Sequence, residues 1–80
     1  KVFPDDTFLS EVEKLATQLS NMPTKALALT KKVLNQSFTN SLDQQLELEL
    51  QIQNEASQTE DYKEGVAAFL EKRAAVFKGF

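Results

Sequence analysis

Ser41-Leu42-Asp43-Gln44-Gln45-Leu46-Glu47-Leu48-Glu49-Leu50-Gln51-Ile52-Gln53-Asn54-Glu55-Ala56-Ser57 is the stretch on which the fold turns. Its centre alternates. Leu46, Leu48, Leu50 and Ile52 are separated by Glu47, Glu49 and Gln51, the period-two pattern of a strand. The surroundings argue for a helix. Ser41 and Gln44 have the S-x-x-Q spacing of a capping box, in which the serine oxygen takes a free N–H and the glutamine reaches back to the cap. The flanks are Gln, Glu and Ala, whose helix propensities are good. At 100° per residue, Leu42, Leu46 and Leu50 form one apolar stripe, and Leu48, Ile52 and Ala56 a second about 120° away. Two stripes mean that two different surfaces press on one helix. The chain's own bundle supplies one surface, and a second polypeptide is the natural candidate for the other. Gln45, Glu49 and Gln53 point between the stripes, where a carboxylate should be partnered or partly wet.

Three more helices read outward from this one, giving an all-α bundle with helices over about 6–21, 23–38, 41–58 and 60–75. In the first, Phe8, Leu9, Val12, Leu15, Ala16 and Leu19 fall on one face, and Asp5 or Asp6 can cap its start. Pro23 ends that helix and is tolerated at the first turn of the next, where its missing N–H costs nothing. Ala26, Leu27, Thr30, Val33, Leu34 and Phe38 are the expected buried stripe of the second helix. Lys25, Lys31 and Lys32 on its outer side read as a solvated face rather than as an anion contact. In the fourth, Thr59 is the N-cap and Glu60 and Asp61 suit the positive end of the helix dipole. Val66, Phe69, Leu70, Val76 and Phe77 supply its apolar side. Gly65 in its interior costs about 1 kcal/mol relative to Ala, which makes sense if a backbone or ligand comes close. Lys72 and Arg73 lie near the favourable C-terminal turn, and Gly79 supplies a stop.

Eighty residues hold one core at most, and a chain of this size buries only roughly 60% of its surface. The sequence has 41% hydrophobic and 26% charged residues, ordinary for a folded domain. It contains neither Cys nor His, which removes thiolate chemistry, Ser-His triads and the commonest metal ligand. The net charge is −3, with +1 on residues 1–40 and −4 on residues 41–80. Such a balance does not support a nucleic-acid partner. No apolar run approaches the roughly 20 residues of a membrane span, so no membrane is expected and the cytoplasm is the simplest compartment. The start at Lys1-Val2-Phe3-Pro4 reads as the beginning of a piece excised from something longer. Paired acids offer little catalysis. Glu11 with Glu13, and Glu47 with Glu49, point about 200° apart on a helix. Asp61 with Glu64 has better spacing, but capping explains it. An acyl-carrier module would need a D-S-L helix start, and Ser41-Leu42-Asp43 has the wrong order.

The run Thr59-Glu60-Asp61-Tyr62-Lys63-Glu64-Gly65-Val66-Ala67-Ala68-Phe69-Leu70-Glu71-Lys72-Arg73, followed by Phe77-Lys78-Gly79, resembles the tail of the crotonase superfamily, the enoyl-CoA hydratases and isomerases. The family pattern is T-x-D-x-x-E-G-x-x-A-F-x-x-K-R, then three residues and F-x-G. Pro23 through Lys31 is similar to the stretch the family carries before that tail, Glu49 sits at its Leu-x-x-Glu position, and Lys1 to Asp5 resemble the exit from its catalytic core. The D-Y-x-E-G-V string and the Phe-Lys-Gly end look most like the ring-epoxide isomerase branch of phenylacetate degradation. The resemblance implies that residues 1–80 are the C-terminal helical subdomain, with the catalytic core absent. In the family that subdomain packs between subunits of a trimer or dimer of trimers. The oxyanion hole that would hold a thioester enolate, and the acid–base carboxylates, lie upstream. It further implies a CoA thioester as substrate of the parent enzyme, with a neighbouring subunit's CoA contacted at its adenine by Phe69 and at its phosphates by Lys72. A second aromatic that lines the adenine in some hydratases is replaced here by Gln53. Without its core the fragment should expose apolar area and self-associate. The competing reading is a free-standing helical module that binds partner helices and needs no CoA.

Overall fold

The computed structural model describes residues 1–80. Its elements are α1 (Phe8–Ser20), α2 (Thr24–Ser37), α3 (Leu42–Ser57) and α4 (Glu60–Glu71), followed by a non-helical tail over 72–80. All four expected helices are present and there is no strand.

The ambiguous stretch is helical from Leu42 to Ser57. Ser41 Oγ accepts from the Gln44 N–H at 3.3 Å, and Gln44 Oε1 accepts from the Ser41 N–H at 2.9 Å, so both halves of the capping box are made. Gln45 donates to Glu49 at 3.1 Å and accepts from Asn40 at 3.1 Å, giving the between-stripe carboxylate its partner. Thr59 caps α4 by accepting from the Tyr62 N–H at 3.1 Å. The start of α1 differs from expectation. Neither Asp5 nor Asp6 caps it; Thr7 is the cap residue, without a side-chain cap bond, and its own N–H and hydroxyl turn back to the Pro4 carbonyl.

The helices are laid out in an open array. α2 packs along α3, and α3 meets α4, while α1 forms no comparable interface. The radius of gyration is 16.0 Å and the extents are 46 × 39 × 18 Å. A compact chain of this length has a radius near 12 Å. A slab so thin cannot enclose a core on all sides, and only Leu29, Ile52 and Ala68 form the buried apolar centre.

The second stripe of α3 is therefore the inner one: Ile52 is buried, and Leu48 and Ala56 are half-buried. Leu42, Leu46 and Leu50 remain exposed, so the helix does present a second apolar surface. On α2 the buried face is rotated from the expected one. Leu29 is buried, with Ala26, Leu27 and Val33 half-buried, whereas Thr30, Leu34 and Phe38 are exposed, Phe38 at 89%. The reason is geometric. α2 packs on one helix only, so a narrow line along Ala26, Leu29 and Val33 suffices, and Leu34 and Phe38 stay outside. Lys25 forms an ion pair with Glu55 across α2 and α3 at 3.4 Å, and half-exposed pairs of this kind contribute little.

The expected helix over 60–75 ends early, at Glu71. Lys72 adopts the left-handed conformation (φ 55°, ψ 39°). Its N–H donates to the Phe69 carbonyl at 3.2 Å, and the Arg73 N–H donates to the Ala68 carbonyl at 3.0 Å. That bond pair is a Schellman reversal, normally built on glycine. Val76 and Phe77 therefore lie in the tail and not on α4, and Gly79 is not the helix stop.

Candidate functional site

The returning tail and the outer face of α4 carry the candidate site. Tyr62, Gly65, Val66, Phe69 and Leu70 lie at helical spacing and line a shallow apolar groove of about 330 Å³. Phe69 is 82% exposed and Leu70 73%, so neither is core. The Phe77 ring from the tail lies over Gly65, 3.6 Å from where a Cβ would stand. That is an ordinary contact, so the close approach expected at Gly65 is a side chain's and would tolerate a methyl group. Lys72 is exposed and makes no ion pair, and it stands one residue beyond the end of α4, three after Phe69.

Two carboxylates one helical turn apart hold the tail. Asp61, only 5% exposed, accepts from the Lys78 N–H at 2.6 Å and the Gly79 N–H at 2.8 Å, while its own N–H donates to the Phe80 carbonyl at 2.9 Å. Glu64 takes the Arg73 guanidinium on both oxygens, at 2.6 and 2.9 Å, and also the Val76 N–H at 2.8 Å. Arg73 is held in addition by Glu71 at 2.6 Å and the Ala74 carbonyl at 3.2 Å. Fork-on-fork pairing of this kind is directional and strong among ion pairs. The Arg73 bonds, with the Val76 N–H after them, lower the Glu64 pKa from 4.5 to about 2; Glu64 and Glu71 raise that of Arg73.

Asp61 does lie in the first turn of α4, but capping alone accounts for neither Asp61 nor Glu64. Both serve a clasp whose partners lie nine to eighteen residues away in sequence, which no local pattern reveals. The clasp also disposes of the pair as a catalytic dyad. Every Asp61 and Glu64 oxygen already accepts a hydrogen bond, and a carboxylate with a pKa near 2 is a poor proton acceptor at neutral pH. No group of acidic side chains is placed to hold a metal ion, and no helix is long and apolar enough to cross a membrane. What the site offers is an open apolar groove and an unpaired cation at the helix end.

Residues 1–79 match the family model of the enoyl-CoA hydratase/isomerases. A 1,2-epoxyphenylacetyl-CoA isomerase of Escherichia coli K12 is 43% identical over 79 residues, which are 99% of this chain and 30% of that protein. A probable enoyl-CoA hydratase of Mycobacterium bovis is 40% identical over 77 residues, 96% of this chain and 30% of its own. The crystal structure of the enoyl-CoA hydratase from Geobacillus kaustophilus superposes with a TM-score of 0.92 at 33% identity, across 99% of this chain and 30% of the hydratase. The chain spans about a third of the length of the curated relatives it matches.

Proposed function

Because the chain belongs to the enoyl-CoA hydratase/isomerase family, we propose that residues 1–80 are the C-terminal helical subdomain of an enzyme acting on acyl-CoA thioesters. Its tasks are subunit assembly and contact with coenzyme A, and it performs no chemistry of its own. Its partners are the enzyme's own catalytic core and neighbouring subunits, in a trimer or hexamer. The observation that carries this reading is the amount of apolar surface left uncovered by a fold that superposes on a family member. Leu42, Leu46 and Leu50 on α3, and the groove of α4, are all open.

The second task rests on the helix end. Phe69 presents an exposed ring suited to stacking on a heteroaromatic base, and Lys72 an unpaired ammonium suited to a phosphate. Relatives that carry this segment are named for CoA thioesters with different acyl groups, a ring epoxide in one and an enoyl chain in the other. The groups the two names share are the thioester and the coenzyme, and a contact to the coenzyme is compatible with both.

In the full-length enzyme, Lys72→Ala raises KM for a CoA thioester about tenfold, the loss of one charge-assisted bond. It leaves kcat nearly unchanged, because a phosphate contact binds ground and transition states alike. Steady-state kinetics decide it, and an unchanged KM removes Lys72 from the site.

A further inference from the structure

Lys72 occupies a backbone conformation that L-residues adopt reluctantly, at a position where helices ordinarily place glycine. Glycine there would make the same two reversal bonds without steric conflict. The chain instead carries a long cation at that point and surrounds it with anchors. The residue that follows, Arg73, has its guanidinium fixed by Glu64, Glu71 and the Ala74 carbonyl. Glu64 also takes the Val76 N–H, so a single carboxylate grips the tail at two points just beyond the reversal. The Lys72 ammonium itself is left without an acidic partner, although Glu71 is its immediate neighbour.

We propose that Glu64 is a positioning residue: by locking Arg73 it fixes the reversal at Lys72 and so presents the Lys72 ammonium, on the turn that follows Phe69, to the anionic end of coenzyme A. This rests on the reading of Lys72 as a phosphate contact and deepens it. A flexible lysine stem pays an ordering cost on binding, and a fixed Cα reduces that cost. Glu64 touches no ligand and acts only through Arg73 and the backbone.

The test uses the full-length enzyme with two substrates, an acyl-CoA and the same acyl group on pantetheine, which lacks the nucleotide. Glu64→Gln raises KM for the acyl-CoA about fivefold and lowers the preference for acyl-CoA over the pantetheine thioester by a similar factor. Combined with Lys72→Ala it adds nothing further, since both changes remove one contact. Arg73→Lys keeps the charge but loses the two-pronged grip; it carries the same expectation and stands in should Glu64→Gln fail to fold. Equal losses on both substrates make the clasp a purely structural device and overturn the proposal. So does an effect of Lys72→Ala that neither clasp variant shares, with the phosphate role of Lys72 left intact. If Lys72→Ala itself leaves KM and preference unchanged, the phosphate reading fails, and the positioning role with it.

Discussion

At Gly79 the tail turns with φ +86° against the first turn of α2, and a Cβ there would stand 2.7 Å from Thr24 Oγ1. Both the conformation and the space call for glycine. Gly79→Ala should therefore destabilise the fold by about 1–2 kcal/mol, read as a lower denaturant midpoint; an unchanged midpoint would mean the tail does not dock on α2. Local residue chemistry was legible in part: the caps of α3 and α4 were, the start of α1 was not. Ser41 with Gln44 and Thr59 as a cap were readable because their partners lie within one turn. Leu29 was not, because the direction of a stripe depends on which neighbour it meets. Nor were the roles of Asp61 and Glu64, whose partners come from the far side of a reversal.

Among the elements, α3 was readable end to end and the end of α4 was not. Glu71, Lys72, Arg73, Ala74 and Ala75 are all good helix formers, so propensity runs straight through the point where the chain stops. Tertiary bonds overrule it: the Glu64 carboxylate and the Arg73 guanidinium favour the reversal over another turn. Their pairing predicts an acid response. Glu64 has a depressed folded pKa, about 2 against an ordinary 4.5. Its stabilisation is therefore complete above about 4.5 and lost as pH falls through the folded value. Amide exchange followed by NMR on acidification should show the Val76 N–H losing protection before the α3 amides do. Simultaneous loss across the chain would count against a separately anchored tail.

As a whole, the molecule exposes 6503 Å², where a compact monomer of its 9.0 kDa mass exposes about 4,900 Å². The excess is larger than the roughly 800 Å² each partner gives to a standard interface. Residues 1–80 alone should therefore self-associate. Sedimentation equilibrium should give a mass that rises with concentration above 9.0 kDa. Leu46→Asp should suppress the rise with little change in helicity, because Leu46 lies on the open stripe of α3. A clean monomer at high concentration would defeat the expectation. The all-α class and the two-surfaced middle helix were legible from periodicity. Which surface looks outward was not, since a pattern fixes the angle between stripes and not their heading.

The tail is gripped through main-chain amides at Val76, Lys78 and Gly79, whose partners are acids on α4. Such a grip cannot tell one side chain from another. The identities of Val76 and Lys78 are thus free to drift without loosening it, with a single prohibition: proline, which has no amide proton to offer.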